Sequence, residues 1–271
     1  MEHVKRIISA SVILPPLLLF LYYAPEELFS LFVLALVALS LREYFHMLAL
    51  IQIPVCPQIS YVVACALVLV AHVGGDLWLP QGLSSGIMLL TLGVMLSPQY
   101  GAQRVPALLH SLFGVVFIGW SLSHLVLLRN LPAGEWYIFF LCVLIWAGDS
   151  VAMYVGRGIG RRKLAPTISP GKTWEGAVGG VVGCVLTAML SSHVLVPHLS
   201  FWHSAVLGGI ISVAAQISDL AESLIKRYAG VKDSGELIPG HGGILDRIDS
   251  ILFAAPLLFY TVNLFFHVRV S

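Results

Sequence analysis

The residues best suited to chemistry lie in one polar stretch, residues 223–249. This polar stretch contains four basic side chains, four acidic side chains and a His-Gly-Gly tripeptide, although only 11% of the whole chain is charged. Charge near a lipid bilayer is energetically unfavourable, so a membrane protein keeps it mainly where it performs a task. We therefore expect the functional site to include this stretch.

Acidic residues in and near the polar stretch are spaced to share helix faces. Asp219 and Glu222 are three residues apart, and so are Asp246 and Asp249; side chains at this spacing lie on one side of a helix. Two such helix ends, joined by a Gly-rich loop, can converge on a hard divalent cation such as Mg²⁺. Alternatively, the carboxylates cap helices or pair with Lys and Arg at the membrane surface. That alternative is weaker for Asp149 and Asp219, because their neighbours are apolar.

The basic side chains of the polar stretch suit phosphate oxygens better than they suit a metal ion. His241 precedes Gly242 and Gly243, and glycines let a backbone approach a ligand closely. An anion at this point could also meet the N–H groups at the start of the following helix. We interpret His241 as a phosphate contact, with hydrogen bonding inside the loop as the alternative. The four basic residues are Lys226, Arg227, Lys232 and Arg247.

A second polar loop, residues 156–176, combines five basic residues with glycines and hydroxyl side chains. Its Gly-Lys-Thr at 171–173 lacks the earlier glycine of a Walker A loop, which argues against a nucleotide-binding P-loop. Ser169 and Thr173 instead indicate a turn into a helix, at which side-chain and backbone donors can bind an anion. Alternatively, this loop only sets the topology and binds anionic lipid headgroups.

The elements that must position these residues are membrane-spanning helices. Hydrophobic residues make up 58% of the chain and the mean hydropathy is +0.90, whereas soluble domains carry about 25% charged residues. The small residues between Gly176 and Gly183 predict close helix packing. Since a helix needs about 20 apolar residues to cross a bilayer, we expect an all-α polytopic fold of about nine spans, with eight or ten as alternatives. The predicted spans are 7–24, 28–41, 59–73, 83–97, 105–128, 136–156, 176–196, 201–222 and 250–267.

The distribution of basic residues predicts the orientation of the chain. With the N-terminus inside, 13 of the 15 Lys and Arg residues fall on cytoplasmic segments, which is a strong positive-inside bias. We therefore expect an N-in, C-out chain whose two polar loops face the cytoplasm. Residues 1–130 form a predicted transmembrane scaffold, and residues 131–271 form a predicted catalytic region. The four scattered cysteines indicate neither a disulfide framework nor a zinc site.

The polar stretch resembles the signature of the phosphatidate cytidylyltransferases (CDP-diacylglycerol synthases). That signature is Ser, two residues, Lys-Arg, four residues, Lys-Asp, later Pro-x-His-Gly-Gly and then Asp-Arg-x-Asp. Asp149, Gly156-Arg157 and the residues from Ser169 to Gly176 also resemble the family. The signature positions in this chain are Ser223, Lys226-Arg227, Lys232-Asp233, Pro239, His241-Gly242-Gly243, Asp246-Arg247 and Asp249.

The resemblance implies that the protein transfers a cytidylyl group from CTP to phosphatidate, giving CDP-diacylglycerol and pyrophosphate, with Mg²⁺ as cofactor. It also implies a multi-pass enzyme with a polar cavity that opens to the cytoplasm and to membrane lipid, and a homodimer. A nucleic-acid partner is not expected. The short loops and compact chain lead us to expect a cell inner membrane.

The resemblance also implies roles for individual residues. It assigns metal binding to Asp219 and Asp246, with Asp149 and Asp249 as neighbours. The predicted catalytic residues are Asp219, Asp246, Lys226 and Arg247. The predicted substrate-binding residues are Ser169, Lys172, Thr173, Ser223, Arg227, Lys232, His241, Gly242 and Gly243.

Two other functions are compatible with the same residues. Carboxylates within the membrane and helices broken by glycine also mark the pathway of an ion-coupled transporter or channel. Against that function, the acidic residues lie at predicted cytoplasmic helix ends, and the outer half of the chain offers no matching polar path. The second alternative is a related cytidylyl- or phosphotransferase that acts on another lipid phosphate or a polyprenol.

Overall fold

A computed structural model describes residues 15–197, 199–235 and 242–266, without the side chains of 265 and 266. Within these residues the fold is all-α apart from one short two-stranded hairpin, as the composition predicts. The chain forms two compact units. The first contains the described residues up to Asn130 and those between Ala229 and Arg247; the second contains Leu131–Tyr228 and the residues from Ile248 onward.

The first unit is a group of apolar helices with proline near two of its helix starts. Pro25 immediately precedes the second helix and Pro57 is the first residue of the third, positions at which the missing proline N–H has no helical partner to lose. A 3₁₀ segment, Pro98–Gln103, and a π-helical segment, Val115–Trp120, lie on either side of the fourth helix. The helices are α1 (15–23), α2 (Glu26–Leu50), α3 (Pro57–Leu96), α4 (Arg104–Gly114) and α5 (Ser121–Arg129).

Helix α3 folds back on itself at Gly75, whose φ of 64° and ψ of −157° are not helical. Two glycines of its second arm, Gly82 and Gly86, face Leu67 and Val63 of its first arm so closely that a Cβ at Gly86 would overlap the Val63 side chain. The two arms are therefore antiparallel. They correspond to two separate predicted spans, 59–73 and 83–97, which the structure joins in one assigned helix.

The second unit consists of three long helices, a hairpin between the first two, and most of the last helix. Glycines let the helices approach one another closely. A Cβ at Gly180 would be 3.2 Å from the backbone oxygen of Gly148, and a Cβ at Gly208 would be 2.9 Å from the backbone oxygen of Cys184. The predicted packing surface between Gly176 and Gly183 is thus confirmed. The elements are α6 (Gly134–Ile159), β1 (Lys163–Ala165), β2 (Ser169–Thr173), α7 (Trp174–Leu195), α8 (Phe201–Tyr228) and α9 (Leu245–Phe266).

The hairpin leads directly into α7. Strands β1 and β2 are antiparallel and pair Lys163 with Thr173. Thr173 is the N-cap of α7, and its Oγ1 accepts a hydrogen bond of 3.1 Å from Gly176 N. Glu175 accepts hydrogen bonds from the backbone N–H groups of Arg161 and Arg162 at 3.0 and 3.2 Å. The predicted helix start is present, with Thr173 as its cap, but the predicted turn is wrong because residues 169–173 form a strand.

Six helices among the described residues are long and apolar enough to cross a membrane, compared with about nine predicted spans. The chain is therefore a multi-pass membrane protein. The two counts differ at identifiable places: α3 contains two predicted spans, α9 is not among the six, and residues 7–14 of the first predicted span lie outside the described residues. The six helical segments are α2, α3, Pro98–Arg129, α6, α7 and α8.

Candidate functional site

Three carboxylates from three helices of the second unit lie close enough for their charges to act on one another. Asp149 belongs to α6, Asp219 to the C-terminal part of α8, and Asp249 to the start of α9. The charge of Asp219 acts on both of the others. We call these three residues, together with Lys172 and Lys226, the carboxylate–lysine cluster.

Lys172 places a positive charge at the centre of this cluster. Its Nζ lies 2.5 Å from Asp219 Oδ2, and its charge also acts on Asp149. The side chains of Lys172 and Asp219 are 26% and 29% exposed, but the ammonium nitrogen of Lys172 is itself buried. The positive charge of this ion pair is therefore shielded from solvent.

One face of α8 carries the remaining polar side chains of the cluster, as their spacing predicts. Ser223 Oγ donates to Asp219 Oδ1 at 3.4 Å. One turn further, Lys226 forms an ion pair with Glu222. The Glu222 side chain is fully buried and that of Lys226 is 12% exposed, so this pair is more strongly shielded from solvent than the pair of Lys172 with Asp219.

A hydrogen bond between α8 and α9 brings Asp249 to the cluster. Ser218, the residue before Asp219, donates from its Oγ to the backbone oxygen of Asp249. The Asp249 side chain accepts from Ser250 N at 2.6 Å. Lys226 acts electrostatically on Asp249, so the cluster contains two lysines and three carboxylates from four separate parts of the sequence.

A small cavity of about 10 Å³ adjoins Asp149 between α6, α7 and α8, which is room for about one water molecule. Its polar lining consists of Asp149, Ser212 and Gln216, and the rest is apolar or sulfur-bearing. Gln216 Nε2 donates to Ala177 O and Ser212 Oγ, both at 3.2 Å, which fixes the amide beside the cavity. Side chains therefore leave a small space beside Asp149 unfilled.

The donors of the cluster are of the type that Mg²⁺ takes, since it prefers hard carboxylate oxygens and retained water. In the part of the chain that the structure describes, no group of three or more His, Cys, Asp or Glu side chains lies at metal-binding spacing. In the structure Lys172 Nζ lies beside one oxygen of Asp219. The cluster therefore offers suitable donor types, and a magnesium site there stays a prediction.

Asp246 belongs to the first unit and has different partners. Its Oδ2 accepts hydrogen bonds from Ser234 N and Ser234 Oγ, both at 2.9 Å, and from Gly243 N at 2.8 Å. Gly242 has a φ of 79°, and a Cβ there would be 2.8 Å from Asp246 Oδ2. The structure thus places Asp246 among loop N–H groups, and its predicted role as a metal ligand stays a prediction.

Comparison with known proteins identifies the family. A family model described as "Cytidylyltransferase family" matches residues 4–265. The chain belongs to this family. A protein of Bacillus subtilis named phosphatidate cytidylyltransferase is 39% identical over 180 residues, or 66% of each chain. Proteins of the same name from Brucella abortus and Rickettsia bellii are 46% and 35% identical, over 54% and 70% of this chain. The matched part is 54% of the Brucella protein and 84% of the Rickettsia protein.

The cytidylyltransferase signature is divided between the two units. Ser223, Lys226 and Arg227 lie on α8 in the second unit, where Arg227 Nε donates to Ile168 O at 3.1 Å. Lys232 and Arg247 are exposed residues of the first unit. His241 lies outside the described residues, as do the five residues before it. Ser169 is half-buried in β2.

Sequence reasoning placed one acidic residue, Glu43, at the membrane interface and gave it neither a partner nor a role in the site. Glu43 on α2 is 8% exposed, and its carboxylate accepts hydrogen bonds from Ile244 N at 2.9 Å and Leu245 N at 2.8 Å. These are the N–H groups that we expected to be available to a substrate phosphate. Glu43 is 191 residues away from Ser234, its third partner, and has no motif around it. The sequence signal that exists is weak: a single carboxylate near the end of a long apolar helix.

Proposed function

We propose that the protein transfers a cytidylyl group from CTP to phosphatidate, forming CDP-diacylglycerol and releasing pyrophosphate in phospholipid biosynthesis. Membership of the cytidylyltransferase family and the names of the relatives support this reaction. The observation that carries it is the carboxylate–lysine cluster, because the signature residues Lys226 and Asp249 belong to it and the signature residue Ser223 donates to its Asp219.

The reaction needs alignment and charge stabilisation more than it needs a strong base. The nucleophile is a phosphate oxygen of the lipid, which is already anionic at neutral pH. It attacks the α-phosphorus of CTP, and the bond to pyrophosphate breaks. Positive side chains bring the two anions together and stabilise the charge that develops on the leaving group. Lys172 and Lys226 of the cluster, with Arg227, Lys232 and Arg247, are suited to this work.

Mg²⁺ is part of the proposal. Asp219 would hold it, with Asp149 and Asp249 as neighbours, and the bound ion would neutralise part of the triphosphate charge. Lys172 would then exchange Asp219 for a phosphate oxygen, so that its buried ammonium nitrogen keeps an anionic partner. Asp246 is also a proposed ligand on the basis of the signature alone.

The topology of the enzyme is proposed from the charge distribution. Because 13 of 15 basic residues fall on one predicted side, we place the N-terminus and both polar loops in the cytoplasm. CTP is a cytoplasmic nucleotide, so an active-site cavity that opens to that side agrees with the reaction. A homodimer in a cell inner membrane completes the proposal, with surrounding lipid as the second partner.

The test is incorporation of radiolabelled CTP into lipid by the purified protein, with and without Mg²⁺. We expect CDP-diacylglycerol and pyrophosphate in equal amounts, only with phosphatidate and only with the ion. Incorporation into a different lipid phosphate or a polyprenyl phosphate, but not into phosphatidate, would assign the related transferase activity instead. If CTP is not consumed with any acceptor while ion flux appears in proteoliposomes, the enzyme proposal is wrong.

A further inference from the structure

A buried carboxylate on α2 holds the start of α9. Glu43 Oε1 accepts a hydrogen bond from Ile244 N at 2.9 Å, and Glu43 Oε2 accepts from Leu245 N at 2.8 Å and from Ser234 Oγ at 3.0 Å. The residue is 8% exposed. All of these residues belong to the first unit.

These bonds satisfy donors that the helix itself cannot satisfy. The first N–H groups of a helix have no intrahelical acceptor, and α9 begins at Leu245. A side chain from the same segment usually caps such groups. Here the acceptor comes from a residue about 200 positions earlier in the chain, so the cap also fixes the start of α9 relative to α2.

Two glycines make the close approach possible. A Cβ at Gly235 would be 2.8 Å from Glu43 Oε1, and a Cβ at Gly243 would overlap both Glu43 Oε2 and Ser234 Oγ. Both positions therefore have to lack a side chain while Glu43 occupies this place. The two glycines stand on either side of the His241 segment in the sequence.

A second carboxylate continues the network from Glu43. The Ser234 hydroxyl lies 3.0 Å from Glu43 Oε2 and 2.9 Å from Asp246 Oδ2, and Asp246 Oδ2 also accepts from Ser234 N and Gly243 N. The position of Asp246 is thus connected to Glu43 through Ser234 and through the first turn of α9.

We propose that Glu43 is a positioning residue for cytidylyl transfer: by capping α9 from α2, it fixes the segment that carries Asp246 and Arg247. This inference rests on the proposed function, because it needs those two signature residues to act in the reaction. Glu43 itself touches backbone and a serine hydroxyl, so it acts through the segment that it holds.

The variant that tests the inference is Glu43→Gln. It keeps the shape of the side chain, but whichever way the amide turns, its NH₂ group faces a backbone N–H, at Ile244 or at Leu245. A buried donor is then left without an acceptor. Glu27→Gln is the matched control, since Glu27 lies on the same helix and is exposed. Ser234→Ala is a milder second variant that removes the hydroxyl and keeps the backbone bond to Asp246.

Two quantities are measured on purified full-length protein: amide hydrogen exchange at residues 243–246, and kcat and KM for CTP and phosphatidate. For Glu43→Gln we expect exchange about 10- to 100-fold faster and kcat lower by at least about tenfold, with smaller changes of the same kind for Ser234→Ala. The double variant should lose less kcat than the product of the single losses, because both changes affect one network. Glu27→Gln should alter neither quantity.

Each contrary result has a definite meaning. If Glu43→Gln speeds exchange but leaves kcat and KM unchanged, the position of the segment does not matter for the reaction and the inference is overturned. If kcat falls while exchange is unchanged, Glu43 does not act by positioning, and the inference is equally wrong. If Glu43→Gln fails to accumulate, Ser234→Ala decides by the same two criteria. If the parent protein itself forms no CDP-diacylglycerol from CTP and phosphatidate, the proposed function is wrong, whatever the Glu43 variants show.

Discussion

In the second unit Asp219 faces the ammonium group of Lys172, whereas in the first unit Glu43 faces backbone N–H groups of α9. Both are carboxylates in an apolar protein, and both are neutralised by donors from distant parts of the sequence. They differ in what would have to move to release them. Lys172 can swing away on a flexible, partly exposed side chain, but the N–H groups of Ile244 and Leu245 can leave only if the start of α9 moves.

This difference separates a carboxylate that is suited to ligand binding from a carboxylate that stabilises the fold. A carboxylate that is paired with a flexible side chain can exchange that partner for a metal ion, provided that the released ammonium group meets another anion such as a substrate phosphate. A buried carboxylate that accepts backbone hydrogen bonds cannot, because each unsatisfied N–H costs about 1–3 kcal/mol. We therefore expect substitutions in the cluster to impair turnover first, and substitutions around Glu43 to impair the order of a segment first.

The largest effect is expected for Asp219→Asn. The amide keeps the size of the side chain but loses the charge that Lys172 and the proposed Mg²⁺ require, so kcat should fall at least about 100-fold. Protein abundance in the membrane should remain near normal, because Asn keeps a side-chain oxygen that can accept a hydrogen bond from the Lys172 ammonium group. The measurement is CDP-diacylglycerol formation by equal amounts of purified protein, with Glu26→Gln as the control. Activity within about twofold of the parent would show that Asp219 is not part of the site. The proposed difference between Asp219 and Glu43 would then be wrong.

Asp246→Asn sharpens the comparison, because Asp246 has the signature of a metal ligand and the hydrogen bonds of a loop anchor. If it anchors the loop, loss of activity should be accompanied by faster amide exchange at Gly243. If it binds the metal, the Mg²⁺ concentration needed for half-maximal activity should rise. We expect both changes, with activity reduced at least about tenfold.

The ion pair of Lys226 with Glu222 allows stability and activity to be separated within the cluster. Lys226→Met leaves the fully buried Glu222 charge without this partner, which should destabilise the protein by about 3–5 kcal/mol. Adding Glu222→Gln should restore most of the stability, because a buried pair can be replaced by neutral groups with little loss. Thermal denaturation in detergent and the CTP assay are the measurements. If the double variant also recovers full activity, Lys226 acts only through stability.

The sequence predicted the local parts of this structure well. Hydropathy located the helices, and it placed the arms of α3 at 59–73 and 83–97, although it did not show that Gly75 would join them in one folded helix. Helical spacing placed Ser223 beside Asp219 and Lys226 beside Glu222. These features depend on residues within one or two turns of each other, and such distances can be read from spacing.

Sequence analysis did not predict contacts between residues that are far apart in the chain and share no recognisable pattern. Glu43 is joined to Ser234, Ile244 and Leu245 only by the packing of the folded chain, and nothing around it in the sequence indicates a buried acceptor. The N–H groups at the start of α9 were expected to meet a substrate phosphate, whereas in the structure those of Ile244 and Leu245 donate to a side chain of the protein itself. The general property of a helix start was predictable, and the identity of its partner was not.

The smallest expected effect concerns Thr173, which is a predicted substrate contact and also the N-cap of α7. Thr173→Ala removes the acceptor for Gly176 N and should destabilise the protein by about 1 kcal/mol. Thr173→Ser keeps the hydroxyl and should restore that stability. If Thr173 also contacts CTP, KM for CTP should rise in the alanine variant and return with serine. If KM is unchanged in both variants and only the alanine variant loses stability, Thr173 is a helix cap only. It then stabilises the fold, as Glu43 does, and does not contact the substrate.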